Sequence, residues 1–206
     1  MQGNNLIGWV AAIVAFAVLT TASLADQIDT TNVAFASVAG ATSIPVGHVE
    51  FCKSHRGECT VNANPVAVIS LTEVLWNQLL SVNTAANAQI VPITDSDLYQ
   101  VAEFWTYPNG YGDCEDFVLA KRRALIERGW SASTLLITVV RQTNGEGHAV
   151  LMVRTDRGDV VLDNLRGSVD LWNTTPYHFL KRQSQADAGQ WVDIVDERPT
   201  IVAAIN

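Results

Sequence analysis

The segment Tyr111–Arg122 constrains the fold most, because a Gly-Asp turn at residues 112–113 leads directly into a helical pattern. Cys114 lies in the first turn of the predicted helix, where Asp113 is a candidate N-cap and Asp116 completes a weak capping box. The helix dipole and the free backbone amides there favour the thiolate, which is the nucleophilic form, and the same amides can hold an oxyanion. Cys114 is therefore a candidate catalytic nucleophile.

Helical patterns lie before and around Cys114, and strand patterns follow it. Apolar spacing predicts helices from Ser70 or Thr72 to about Ala88, over residues 95–105, and over residues 114–128. Apolar and β-branched runs bounded by turn residues predict five strands, over residues 135–140, 148–154, 159–163, 177–182 and 191–194. Helices first and an antiparallel sheet second indicate an α+β fold.

The predicted hairpin near residue 156 brings a histidine and an aspartate together. If Asp156 and Arg157 are its two turn residues, His148 and Asp163 lie on the same face, displaced diagonally by two positions. Such a pair is within reach of a carboxylate–imidazole hydrogen bond, the arrangement that activates a thiol. The alternative is that His148 is a satisfied core or loop histidine and Asp163 a turn residue. The other histidines, His48, His55 and His178, are more typical of structural or solvated positions.

The amino-terminal region predicts export. Residues 1–25 carry no charged side chain, and Leu6–Leu19 is a 14-residue apolar run, short for a membrane span. Ser23-Leu24-Ala25 suits signal-peptidase cleavage, although the residues before the apolar run lack Lys or Arg. We expect a signal peptide cleaved near Ala25 and a periplasmic or secreted protein; an uncleaved anchor is the alternative.

The three cysteines allow one disulfide and one free thiol. Cys52 and Cys59 flank a polar, turn-forming segment, so we predict that they pair and leave Cys114 free. The alternatives are three free thiols, or a disulfide that involves Cys114 and abolishes its chemistry. A metal site made of Cys52, His55 and Cys59 fits no standard zinc spacing.

Composition narrows the class of partner. The formal net charge is −8 and the chain has no run of Lys or Arg, so nucleic acid and anionic membranes are poor partners. A hydrophobic content of 48% is typical of a globular chain and argues against disorder. We expect a leader over residues 1–25, a lead-in over 26–43 with at most an edge strand, one domain over 44–195 that begins as a loop, and a loosely packed tail over 196–206.

Four stretches resemble the bacterial transglutaminase-like cysteine peptidases, over roughly residues 44–194. They are Ile44–Cys52, Tyr111–Asp116, Gly145–Leu151 and Val161–Asn164. The resemblance implies a papain/transglutaminase-like core, in which N-terminal helices that include the Cys-bearing helix pack on a C-terminal antiparallel sheet. It also implies a catalytic triad of Cys114, His148 and Asp163, the same three residues chosen above. The expected activity is that of an exported cysteine endopeptidase with an acyl-enzyme intermediate and a protein or peptide substrate in the cell envelope.

The resemblance further implies calcium, because the best understood branch of the family is a calcium-dependent periplasmic protease. The corresponding ligands are Asp113, Glu115 and Asp116. Three carboxylates around Cys114 oppose thiolate formation, and a divalent cation would remove that opposition. Acids that cap a helix and match its dipole are the alternative explanation. No other cofactor is expected for the chemistry, and a regulatory envelope protein is a further expected partner.

Two other functions stay open at this point. One is transglutaminase- or amidase-type acyl transfer on envelope material, and the other is a non-catalytic binding module on the same fold. The second donor of an oxyanion hole is also open among Trp105, Asn83 and Gln78.

Overall fold

The computed structural model describes residues 35–198, which form a mixed helix and antiparallel-sheet fold, as predicted. The helices are α1 Val46–Ser54, α2 Glu73–Gln89, α3 Asp95–Leu98 and α4 Cys114–Ile126. The strands are β1 Ser37–Ala41, β2 Val91–Pro92, β3 Tyr111–Gly112, β4 Leu135–Arg141, β5 Gly147–Thr155, β6 Gly158–Leu162, β7 Asp170–Leu171, β8 His178–Gln183 and β9 Trp191–Val195. The predicted leader lies outside the described residues. Within residues 35–198, none of the helices combines the length and apolar character of a membrane span.

Seven strands form one antiparallel sheet in the order β1-β9-β8-β4-β5-β6-β7, and β2 pairs with β3 in parallel. Helix α4 packs on β5 and against α2, so Leu119 and Leu125 share a core with Leu151. The other face of the sheet buries Met152 with Phe179. The sheet thus carries apolar side chains on both faces, and the Cys-bearing helix is fixed against its central strands.

The β5–β6 hairpin has the predicted two-residue turn. Thr155 lies opposite Gly158, and the same register continues to Leu151 and Leu162. Gly158 has a φ of +115°, a conformation that side-chain-bearing residues rarely adopt. Because side chains alternate along a strand, this register places residue 148 and residue 163 on the same face.

Helix α1 replaces the loop predicted at the start of the domain. It begins at Val46 after Pro45, without a side-chain cap, and its buried residues include His48 and Phe51. Gly47 lies directly beneath Trp105: an added Cβ would come within 2.2 Å of the indole Cδ1. This helix is therefore stabilised by burial against the rest of the domain. It has no side-chain cap, so the sequence shows no capping pattern that would predict it.

The helix predicted over residues 95–105 is wrong beyond its first turn, since α3 ends at Leu98. Residues 99–110 form irregular backbone, in which Val101 is exposed and Trp105 is buried. Side-chain carboxylates accept the backbone hydrogen bonds there: Asp95 accepts from the Phe104 amide, and Asp116 accepts from the Thr106 amide at 2.8 Å. These acceptors replace the carbonyls that a helix would have supplied.

Both ends of the described chain pack on the sheet. Strand β1 lies at its edge and pairs with β9, so part of the predicted lead-in belongs to the sheet. The predicted tail is packed where it begins, because the Asp196 carboxylate, which is fully buried, accepts from the Phe179 amide at 2.9 Å. The Arg198 guanidinium stacks over Trp172 at 4.6 Å from the ring centre.

Candidate active site

Cys114 is the first residue of α4, at the end of the helix that faces β5. Asp113 stands at the N-cap position, but its side chain makes no capping hydrogen bond, which corrects the prediction. Its carboxylate instead accepts from the Asp95 amide at 3.3 Å. The turn before Cys114 is therefore held by a contact with α3, and not by the local capping box.

The sulfur of Cys114 has two close polar neighbours. The Ala149 amide donates to Sγ at 3.4 Å, and the thiol donates to Glu115 Oε2 at 3.0 Å. Burial, followed by the charge of Glu115, raises the pKa of the Cys114 thiol well above its ordinary value. In this arrangement these two effects outweigh the helix dipole on which the sequence argument relied.

His148 and Asp163 are joined, as the hairpin parity predicted. His148 Nε2 lies 2.8 Å from Asp163 Oδ1, and the two residues are 5% and 1% exposed. The same carboxylate oxygen accepts from the Leu165 amide at 3.0 Å, and the Tyr177 hydroxyl donates to the other oxygen. Burial alone would raise the pKa of Asp163, but the hydrogen bonds from His148 and Tyr177 lower it below its ordinary value. No pattern in the sequence indicated a role for Tyr177, which lies directly before β8.

Cys114 and His148 line the same cleft, whose volume is about 440 Å³. Gly147, Ala149 and Trp105 also line it. Among the described residues the thiol donates to Glu115, and no hydrogen bond joins it to His148. Because Asp163 occupies Nε2, Nδ1 is the ring nitrogen left for a thiol. The structure therefore assembles the histidine–carboxylate pair and brings the sulfur to the same cleft.

Of the three residues considered as a second oxyanion donor, only Trp105 lines this cleft. Its indole N–H donates to Glu103 Oε2 at 3.1 Å. Gln78 accepts from the Trp130 indole at 2.7 Å, and Asn83 donates to the Arg166 carbonyl at 3.1 Å. Trp105 is thus the candidate that the geometry retains.

Three carboxylates lie together beneath Cys114: ligand atoms of Asp95, Asp113 and Asp116 fall within 4.8 Å of one another. Asp116 is fully buried, and within residues 35–198 its Oδ2 and Asp113 Oδ1 have no hydrogen-bond donor. Burial raises the pKa of Asp116 to about 7. Glu115, which was predicted as a ligand, lies outside this group and contacts the thiol instead; burial raises its pKa to about 9. The sequence prediction omitted Asp95.

The structure joins Cys52 and Cys59 by a disulfide, and Cys114 is the free cysteine. The imidazole next to the disulfide is that of the buried His48, 3.6 Å from Cys52 Sγ. His55 stacks on Phe51. His178 lies outside the cleft of Cys114 and His148, 3.6 Å from Asp196.

Comparison with known proteins gives one family. A model described as bacterial transglutaminase-like cysteine proteinase matches residues 38–199. Among solved structures, calcium-bound LapG of Legionella pneumophila is 26% identical with a TM-score of 0.48, over 55% of this chain and 66% of that chain. EGTA-treated LapG is 26% identical with a TM-score of 0.47, over 55% of this chain and 64% of that chain. The chain thus spans just under two thirds of LapG, and no curated protein matches it.

Proposed function

The chain belongs to the family of bacterial transglutaminase-like cysteine proteinases, and we propose that it is an endopeptidase acting through Cys114, His148 and Asp163. The observation that carries the proposal is the buried His148–Asp163 pair on the cleft that also holds the Cys114 sulfur. Within this family, that constellation has the residue types and connectivity of a thiol protease site: nucleophile, base and a carboxylate that orients the base.

The first half of the reaction makes an acyl-enzyme. His148 Nδ1 takes the Cys114 proton, while Asp163 holds Nε2–H and stabilises the imidazolium. The thiolate attacks the carbonyl carbon of the scissile peptide bond, and the carbonyl oxygen becomes an oxyanion. The Cys114 amide at the start of α4 and the Trp105 indole N–H are the donors that we assign to it, and the indole must leave Glu103 to donate to the oxyanion. The C–N bond then breaks, the leaving amine takes the proton from His148, and a thioester remains on Cys114.

The second half of the reaction releases the acyl group. His148 removes a proton from a water molecule, and the hydroxide attacks the thioester carbon. The C–S bond breaks, the sulfur recovers a proton from His148, and the product carboxylate leaves. Before the first attack, the thiol must exchange its hydrogen bond to Glu115 for one to His148. The neighbouring carboxyls therefore oppose the step that the histidine promotes.

A divalent cation suits the three-carboxylate group. Asp113 and Asp116 each leave a carboxylate oxygen without a donor in the described chain, and Asp116 is fully buried. Hard oxygen ligands of this kind are those that Ca²⁺ takes, so we assign Asp95, Asp113 and Asp116 to it. When bound, the ion would supply positive charge that offsets the carboxylates beside Cys114. Glu115 faces the thiol in this assignment.

We place the protein outside the cytoplasm and its substrate among proteins of the cell envelope. The Cys52–Cys59 disulfide supports this location, because such bonds persist in oxidising compartments. The uncharged apolar segment at residues 1–25 supports it at the level of sequence. A protein or peptide is the substrate class that the family implies.

The test replaces the nucleophile and the base separately. Cys114→Ala and His148→Gln should each abolish cleavage of a peptide library while the far-UV circular dichroism spectrum stays unchanged. His55→Gln is the matched control, since His55 lies outside the cleft. New amino termini in the products indicate hydrolysis, whereas incorporation of a fluorescent primary amine indicates acyl transfer. Full activity of Cys114→Ala would remove the peptidase proposal.

A further inference from the structure

A second cleft, of about 830 Å³, lies beside the catalytic one and is called the basic cleft here. Its charged lining residues are Arg141, Arg166, Arg198 and Asp196. Three guanidinium groups against one carboxylate give it a positive charge, in a chain whose formal net charge is −8. Cationic side chains are thus concentrated where the molecule as a whole is acidic.

Two of the three guanidinium groups have donors to spare. Arg198 is held in place, since it donates to Asp196 at 2.7 Å and to the Tyr177 carbonyl at 2.6 Å. Arg166 donates to Asp170 from Nε alone, and 41% of its side chain is exposed. Arg141 is exposed and makes no ion pair within residues 35–198. Arg141 and Arg166 are therefore the groups available to a ligand.

Two contacts link the lining of the basic cleft to that of the catalytic one. Tyr177 lines the basic cleft, while its hydroxyl donates to Asp163. Arg141 lies opposite Gly147 in the β4–β5 ladder, and Gly147 lines the catalytic cleft. Such opposed residues are about 5 Å apart, and an extended chain advances roughly 3.3 Å per residue. A side chain about two to four residues from the scissile bond would thus reach Arg141.

We propose that the basic cleft binds an Asp or Glu side chain of the polypeptide substrate and so determines where the enzyme cuts. The planar guanidinium group matches a carboxylate with two parallel hydrogen bonds, and the remaining donors of Arg141 and Arg166 supply them. This inference rests on the proposed function and adds a substrate preference to it. These two links to the catalytic residues favour a substrate side chain over a free inorganic anion, which the same guanidinium groups would also attract.

The test measures a ratio of cleavage rates. The cleavage profile of the full chain is first obtained on a peptide library, and paired peptides are then made with Glu or Gln at each position near the cut. At one position the kcat/KM of the Glu peptide should exceed that of the Gln peptide by about tenfold or more, the value of one charge-assisted hydrogen bond. Arg141→Glu should bring the ratio to one or below, and added salt should reduce it.

Controls separate the cleft from general charge effects. Arg128→Glu alters an exposed arginine in the turn that follows α4 and should leave the ratio unchanged. Arg166→Glu should lower the ratio less than Arg141→Glu, because Asp170 already occupies its Nε. A ratio near one at every position, or one that Arg141→Glu does not change, overturns the proposal.

A binding measurement keeps this inference apart from the peptidase assignment. In the Cys114→Ala background, fluorescence anisotropy compares a degenerate peptide pool with a fixed Glu against the same pool with Gln. A preference for the Glu pool that disappears on Arg141→Glu supports the cleft assignment. It does so even if the wild type cleaves no peptide, and the absence of cleavage would reject only the peptidase proposal. Binding of inorganic phosphate without any preference between the pools would identify a simple anion site and overturn the inference.

Discussion

The Cys114 thiol is hydrogen-bonded to a carboxyl group and, among the described residues, not to an imidazole. Its hydrogen bond to Glu115 and its burial raise the pKa of the thiol, whereas the nearby pair of His148 and Asp163 is built to accept the proton. The residue that disfavours the thiolate and the one that would promote it therefore line the same cleft as the sulfur. Whatever changes the charge beneath Cys114 will change the balance between them.

Trp105 offers a test of the oxyanion assignment. Trp105→Phe keeps an aromatic ring above Gly47 but removes the indole N–H that lines the cleft. We expect kcat to fall about 10²- to 10³-fold with little change in KM, the usual effect of losing one oxyanion donor. Trp130→Phe is the control, because its N–H donates to Gln78 away from the cleft. An unchanged kcat in Trp105→Phe would assign the oxyanion to another donor.

The buried position of His48 leads us to expect that the protein loses stability in acid. Burial, and then the charge of Arg122, lower its pKa from 6.5 to about 4. Both ring nitrogens already face donors, the Trp191 indole at 3.2 Å and the Gln183 amide at 3.1 Å. Since the folded pKa lies below the unfolded one, the stabilisation is complete above pH 6.5 and is lost as the pH falls toward 4.

The expected loss is about 3 kcal/mol in the free energy of unfolding, at about 1.4 kcal/mol per pKa unit. Urea unfolding of the wild type and of His48→Gln between pH 7 and pH 4 measures it, because the variant should lack this part of the pH dependence. His55→Gln, which removes another histidine of the same region, should follow the wild type. Parallel curves for wild type and His48→Gln would contradict the assignment.

At the scale of elements, the disulfide ties α1 to the short 3-10 turn that follows it. Cys52 lies in α1, and Cys59 comes directly after the turn Arg56–Glu58. Glu58 in this turn accepts a hydrogen bond from the Tyr107 hydroxyl. The disulfide therefore also supports the irregular segment before Cys114. Removing the disulfide by Cys52→Ala with Cys59→Ala should lower the free energy of unfolding by about 2–3 kcal/mol for so short a loop.

Urea unfolding with and without reductant checks the disulfide prediction. Cys114→Ala serves as the control, since it keeps the bond and should lose the same stability on reduction. Iodoacetamide should add one label per unreduced chain, on Cys114, and three after reduction. A label on Cys52 or Cys59 in the unreduced protein would reject the pairing.

The elements that could be predicted are those whose signals are local. Thr72 caps α2, where its side chain accepts from the Leu75 amide at 3.3 Å, and the two-residue turn of β5–β6 fixes which residues face each other. Helix α1 escaped prediction because Pro45 provides no side-chain cap and burial of His48 supplies the stability. Residues 99–105 were predicted as helix because apolar spacing does not show that carboxylates will take their amides.

The same distinction between local and non-local signals applies to the residues of the candidate site. Hairpin parity was enough to pair His148 with Asp163, because it depends only on turn length. Asp95 could not be predicted to join Asp113, since the contact depends on the parallel pairing of β2 with β3. Tyr177 reaches Asp163 from beyond β7, a non-local contact for which no spacing in the sequence gives a sign.

At the scale of the whole molecule, an acidic chain concentrates charge of both signs around its cleft. Three carboxylates lie close to Cys114, and the arginines of the basic cleft lie near the partners of His148. A substrate in the cleft of Cys114 would therefore lie between a region that attracts cations and a region that attracts anions. The proposed metal site and the proposed substrate cleft are formed by different residues, so each proposal can be tested without the other.

Calcium should accordingly act on folding and on the thiol together. Calcium at about one hundred times its Kd should raise the free energy of unfolding by about 2.7 kcal/mol, and chelator should reverse this. The same addition should speed the reaction of Cys114 with iodoacetamide, because the cation offsets carboxylates that raise the pKa of the thiol. Asp95→Asn and Asp116→Asn should weaken both responses, whereas Asp193→Asn, at an exposed position of β9, should not. If calcium changes neither the melting curve nor the labelling rate of the wild type, the three acids act only by accepting backbone amides, those of Asp95, Phe104 and Thr106.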